Sequence, residues 1–511
     1  MPSLSDLKNK WFLPLIGDVL GVPQRRRQGP PGGELQVSTD GNLVEPLIDG
    51  EVYMRRWHLA LVAMGAYTGP EAYHAGWRLE QVYPLGHGIG TTALEDLNNA
   101  DTAGATVYTL LSEHLGSIAT NRPSVAWLRL HGVWTSCRDN RYPNAGTNHQ
   151  KMAVFKTAGG HLCTLGSLDL AKARWDRTVH APSDPSRDPA SGPTHDTGVA
   201  IIGPAVGDLD LCYRERWNDS SRTLGMTPLL PPQPLIATPL AGGPPSGSHS
   251  VQVLRTFGIT STKSGYSWSP SGEFTVWASY LNAIRRATTY LYLEDQYFLP
   301  WDYPPRFSRP AGPGRDVDII YQLGEAMKRG VKVAILTPAK GEDLGVLGYY
   351  QKFQRDIGVN YLKSIKAAGA PGDLVIASLE NAAGWVHVHS KLLLADDEFV
   401  LIGSANIGQR SMTHDGEVHV GVVDSAEAFA REFRKTLWAE HTGQTPVALD
   451  DPVVAYGLFK AATAASTGHL KPYPFDPTAT HPKGQATSVP PKHGQAIRNG
   501  IDPYAGPPAL A

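Results

Sequence analysis

The sequence predicts an α/β protein of two homologous lobes, each a mixed β-sheet flanked by helices and related to the other by a pseudo-twofold axis. Three observations carry this: the length, the alternation of strand-like and helix-like segments, and an ordered set of features that occurs twice. At 511 residues the chain exceeds one ordinary domain. Pro and Gly concentrate over residues 23–33, over 228–245 and from about 472 onward. These breaks divide it into an N-terminal extension (1–42), a first lobe (43–227), a linker (228–250), a second lobe (251–445) and a Pro-rich C-terminal tail (446–511).

Each lobe opens with a helical segment and a strand: Tyr53–Met64 before Ala72–Trp77, and Val276–Arg286 before Thr289–Leu293. Each then carries a His-x-Lys triplet leading an apolar strand, His149-Gln150-Lys151 and His389-Ser390-Lys391. A Gly-Ser pair follows in both, as Gly166-Ser167-Leu168-Asp169 and Gly403-Ser404-Ala405-Asn406. An acid next precedes a β-branched strand, Asp196 in one half and Glu417 in the other. Closing helices end near Arg214–Trp217 and Arg434–Trp438.

Composition narrows the function classes. The net charge of −2 gives no reason to favour nucleic acid as a partner. Cys137, Cys163 and Cys212 are too few and too scattered for a disulfide framework or a close-spaced metal cluster, so reduced thiols are expected and no metal or cofactor is called for. The N-terminal apolar run is broken by Pro14 and Asp18 and makes a poor signal peptide, and no stretch approaches the ~18 apolar residues of a spanning helix. A cytoplasmic or peripheral-membrane protein is expected, and export by a system that reads no N-terminal signal would leave the same trace. Arg25-Arg26-Arg27 reads as a solvated linker run in preference to a lipid contact. Trp301 and Tyr303 are candidates for insertion at a lipid interface, with simple packing the competing reading.

The duplicated residues suit one chemistry. Cleaving a phosphodiester takes cations on the nonbridging oxygens, a nucleophile, and an acid for the leaving oxygen. Strand alternation puts residues i and i+2 on one face, so His149 with Lys151, and His389 with Lys391, can each reach the same phosphate. One imidazole attacks phosphorus while the other protonates the departing alcohol and then activates water. Each also needs an acceptor on its second nitrogen to fix its tautomer, and Asp196 and Glu417 are the candidates. Ser167, Asp169, Ser404 and Asn406 are expected to complete a phosphate cradle.

The segment His389-Ser390-Lys391 with Asp396, followed by Gly403-Ser404-Ala405-Asn406-Ile407-Gly408, resembles the HKD signature of the phospholipase D superfamily. His149-Gln150-Lys151, Gly166-Ser167-Leu168-Asp169, Arg174-Trp175-Asp176, His195-Asp196 and Glu294-Asp295-Gln296-Tyr297-Phe298 are similar to segments of its eukaryote-like branch. The resemblance spans roughly residues 43–443. It implies hydrolysis of a phospholipid to phosphatidic acid at a membrane surface, through a phosphohistidine on His149 with His389 as the acid, and with transfer to alcohols in reach. A cardiolipin-synthase-like transferase and a nuclease share that scaffold, and a catalytically silent lipid-binding protein is the alternative of another class. In family terms Asp396 supports its strand. Its counterpart in the first motif is Lys156, which alternation sends to the face opposite Lys151, where its stem is expected to carry the charge to water.

Overall fold

The computed structural model describes residues 2–25, 35–81, 84–86, 88–139, 146–221, 236, 242–259, 269, 271–301, 313–342, 346–426, 428–476 and 502. Among the described residues, fourteen principal strands form the bodies of two mixed sheets. The first comprises β1 (Thr39–Ile48), β2 (Glu71–Gly76), β3 (Thr106–Ser112), β4 (Ser136–Asp139), β5 (Met152–Thr157), β6 (Gly160–Gly166) and β7 (Thr197–Ile202). The second comprises β8 (His249–Phe257), β9 (Tyr290–Asp295), β10 (Lys332–Leu336), β11 (Asp373–Asn381), β12 (Lys391–Ala395), β13 (Phe399–Gly403) and β14 (Glu417–Asp424).

The order β4-β3-β2-β5-β6-β7-β1 of the first sheet repeats as β11-β10-β9-β12-β13-β14-β8 in the second. Directions repeat too: the first two pairings of each sheet are parallel and the other four antiparallel. The edge strands β1 and β8 pair with each other, Asn42 opposite His249, and so join the lobes.

Alternation along the central strands distributes side chains between layers. Met152 and Val154 of β5, with Leu392 and Leu394 of β12, enter a core shared by both lobes. Ala153 and Phe155 pack outward under Trp57 and Leu94, while Leu393 and Ala395 pack under Trp277 and Leu323. Cys137, Cys163 and Cys212 are buried and free.

The structure decides three points. Residues 446–472, expected in a tail, are folded: helix Pro452–Ala465 places Tyr456 and Phe459 in the shared core, and Leu470–Pro472 pairs with β11. Pro452 reads as a breaker but sits at the helix start, where its missing N–H costs nothing and Asp451 caps the next amides. The N-terminal extension also packs, with helix Leu4–Trp11 stacking Trp11 on Phe399 at 5.3 Å. Trp301 is buried and stacked on Trp277 at 4.4 Å, so it is core and not interface; Tyr303, Arg26, Arg27 and most of the linker lie outside the described residues. No described helix is long and apolar enough to cross a membrane.

Candidate active site

Both His-x-Lys triplets sit at the entry to the central strand of their lobe and dock on the opposite lobe. The His149 amide donates to the Gly416 carbonyl at 2.9 Å, and the His389 amide to the His195 carbonyl at 2.8 Å. Gly416 and His195 immediately precede Glu417 and Asp196. Docking therefore carries each imidazole to the other lobe's acid: His149 Nδ1 lies 3.0 and 3.1 Å from the two oxygens of Glu417, and His389 Nδ1 lies 2.8 Å from Asp196 Oδ1. Each carboxylate is held by its own lobe's serine, Ser167 on Asp196 and Ser404 on Glu417, both at 2.5 Å. The two halves are thus crossed, and neither lobe pairs its own His-x-Lys histidine with its own Asp196 or Glu417.

With Nδ1 turned to a carboxylate, Nε2 is the nitrogen left for chemistry. Burial, then Lys151 and Lys391, hold His149 well below the ordinary histidine range. Burial, then Arg174 and Lys391, do the same to His389. Lysines of both lobes act on both imidazoles, which is what a single shared pocket requires. Burial pushes Lys391 down to about 7 and lowers Lys151, while it pushes Asp196 up to about 6 and Glu417 up to about 7. Desolvation thus dominates the lysines and acids of the pocket, while the cations that depress both imidazoles mark it as suited to an anion.

The cradle residues divide. Ser167 and Ser404 direct their hydroxyls to the carboxylates, so they orient the acids and are not available to a phosphate in this arrangement. Asp169 accepts the Trp77 and Arg78 amides at 3.0 Å each and lies 3.5 Å from Lys151 Nζ; an anion there repels phosphate and instead positions the lysine. Its counterpart Asn406 is buried, with Oδ1 accepting no hydrogen bond among the described residues. In the second lobe the strand-end amides go to Asp295, which accepts from Tyr297, Phe298 and Ile407, and Lys391 donates to Gln296 Oε1 at 2.8 Å.

Arg174 and Gln296 join the site without having been singled out as site residues. Both lie in segments quoted only for resemblance, and no local pattern marked them. The half-buried Arg174 guanidinium donates, among the described residues, only to Ala173 O at 3.4 Å, and its charge bears on Asp196, His389 and Lys391. Asp396 accepts the amides of Thr288, Thr289 and Tyr290 and takes no part in the pocket. Lys156 lies on the face of Met152 and Val154, opposite Lys151. It is not carried free to water: its Nζ reaches Tyr73 Oη at 2.9 Å and Glu71 at 3.3 Å, because the register sets Glu71 directly across from it.

Residues 280–439 match a family model described as cardiolipin synthase, phospholipase D-like domain. Over 473 residues the chain is 24% identical to phospholipase D gamma 2 of Arabidopsis thaliana, covering 67% of this chain and 55% of that one. It is 26% identical over 408 residues to phospholipase D alpha 2 of Oryza sativa subsp. japonica, covering 58% and 49%. The chain belongs to the phospholipase D superfamily. The chain spans about half the length of the curated relatives it matches. Among solved structures, phosphatidylserine synthase of Haemophilus influenzae Rd KW20 aligns over 83% of this chain and 95% of its own at 12% identity, with a TM-score of 0.49.

Proposed function

We propose that the chain hydrolyses phospholipid phosphodiester bonds to phosphatidic acid and a free head group, through a phosphohistidine on His149. The crossed pairing of two imidazoles with two buried acids, beside Lys151 and Lys391, is the observation that supports it. His149 Nε2 attacks phosphorus as its Nδ1 proton is held by Glu417, and the bond from phosphorus to the head-group oxygen breaks. His389 gives that oxygen its proton. The lysines balance charge on the nonbridging oxygens. A bound diester anion offsets the cations that depress His389, which raises its affinity for the proton it must deliver. Water, deprotonated by His389, then attacks phosphorus, the P–N bond breaks, and His149 is restored.

The same intermediate accepts an alcohol in place of water, and the match of the second half to a cardiolipin synthase domain favours that branch as a second outcome. The substrate is presented at a lipid surface on which the protein docks peripherally. Vesicles carrying phosphatidylcholine, phosphatidylethanolamine, phosphatidylglycerol or cardiolipin, incubated with and without ethanol, test the reading. Free head group with phosphatidic acid is expected, and phosphatidylethanol when ethanol is present. No lipid turnover alongside cleavage of single-stranded DNA would replace the lipid reading with a nuclease. Vesicle binding without turnover of any diester would replace it with a silent scaffold.

A further inference from the structure

Behind the histidine–acid pairs lies a second polar cluster that the proposed chemistry does not use. Asp49, His180 and His195 of the first lobe meet Glu440 of the second, with side chains 1, 0, 0 and 6% exposed. His195 Nδ1 is 3.0 Å from Asp49 Oδ1 and 3.1 Å from Glu440 Oε1; His180 Nε2 is 3.3 Å from Glu440 Oε1 and 3.9 Å from Asp49 Oδ2. One ligand atom from each of the four lies within 4.8 Å of the others. Ligand bonds of ~2.0–2.1 Å to a tetrahedral ion set its ligands roughly 3.3 Å apart, and the four histidine–carboxylate separations here, 3.0, 3.1, 3.3 and 3.9 Å, bracket that value.

Three further observations point to an ion. The outer nitrogen of each histidine is fixed by a carboxylate: His180 Nδ1 on Asp176 Oδ2 and His195 Nε2 on Glu294 Oε2, both at 3.0 Å. That leaves His180 Nε2, within hydrogen-bond distance of Glu440 Oε1 at 3.3 Å, and the unpartnered His195 Nδ1 facing inward, the arrangement that orients metal-bound imidazoles. Despite its short distances, His195 Nδ1 makes no hydrogen bond among the described residues, and Asp49 Oδ2 and Glu440 Oε2 are buried and accept none from them. Charge closes the case. Asp176 is neutralised by Arg187 at 2.8 Å, whereas among the described residues Asp49 and Glu440 face histidines and no lysine or arginine, so a divalent cation can take the place of the ring protons that would otherwise balance these two buried carboxylates.

We propose that Asp49, His180, His195 and Glu440 bind one Zn2+ that fastens the lobes together. Two imidazoles with two carboxylates suit zinc, whereas calcium and magnesium take oxygen ligands. The ion takes no part in phosphoryl transfer. Its role is positional: the His195 carbonyl receives the His389 amide and the next residue, Asp196, holds His389 Nδ1, so an ion on His195 fixes that pair. The ligands are scattered over the chain, which is why no close-spaced motif announced them. The inference stands on this cluster and not on the lipid activity proposed above.

Untagged full-length protein, purified without chelator, is expected to carry about one zinc per chain by elemental mass spectrometry. Dialysis against a chelator should remove it and lower Tm by roughly 5 °C or more, reversed by zinc and not by calcium. Cobalt exchanged into the wild type should give the intense visible absorption of a tetrahedral site, and His180→Ala should lose both metal and absorption. Wild-type protein that holds no metal and neither binds nor is stabilised by stoichiometric zinc would overturn the proposal, as would a His180→Ala variant with undiminished zinc. The wild-type measurements decide even where the variant fails to fold.

Discussion

Substituting Glu417 by glutamine separates orientation from every other property of the site. Glu417 is buried, accepts from Ser404, and faces His149 Nδ1 through both oxygens. Glutamine fills the same volume. With its amide oxygen kept on Ser404, its NH2 turns to His149 and donates to Nδ1, which moves the ring proton onto Nε2 and occupies the lone pair that must attack phosphorus. A hydrogen bond to a charged partner is lost, ~1.5–3 kcal/mol, and the unfavoured tautomer has to be reversed. Together these amount to about 3–5 kcal/mol in the barrier, a fall in kcat of roughly 10²- to 10⁴-fold with KM nearly unchanged. Stability should move the other way. Burial raises the Glu417 pKa to about 7 in the folded state, so its contribution is favourable below the unfolded carboxyl pKa and lost as pH rises through about 7. A neutral amide escapes that loss, and Tm of Glu417→Gln at pH 8 should equal or exceed that of the wild type. Head-group release and differential scanning calorimetry on one preparation measure both. Turnover within tenfold of wild type, with the fold intact, would refute the orienting role.

The pH profile of kcat/KM should be a narrow bell near neutrality. It rises as Glu417 ionises through about 7 and falls as Lys391, pushed down to about 7, loses its proton; Glu417→Gln should abolish the acid limb only. Lys156→Ala should leave turnover within about tenfold, because the side chain is tied to Glu71 and Tyr73 away from the pocket; a much larger fall in correctly folded protein would place it in the chemistry. Arg174→Met should raise KM for a phosphodiester roughly tenfold or more through loss of a cation facing the pocket, and an unchanged KM would remove Arg174 from substrate binding.

The duplication was legible because its parts recur in a fixed local order, and local order is what a sequence displays. His-x-Lys, Gly-Ser and an acid before a strand each report a turn or strand end within a few residues, and the repeated strand order follows from that. The pairing of histidine with acid has no such trace: His149 and Glu417 are 268 residues apart, and His389 and Asp196 are 193 apart. Only docking of each triplet on the opposite lobe's Gly416 or His195 carbonyl selects the partner. The same limit hid the role of Ser167 and Ser404, whose hydroxyls are committed only once the acid's position is known. Lys156 shows the converse. Its departure from the motif looks chemical when read along the chain and is structural when read across it. Asp396 anchors the start of β9 by accepting three amides, whereas Lys156 pairs with Glu71, its cross-strand neighbour on β2. Each arrangement ties the outer strand to the central one at the end far from the triplet. The motif's last position therefore carries a demand on strand pairing that an acid with amides, or a cation with an acid, can meet, and its identity says little about whether the histidines work.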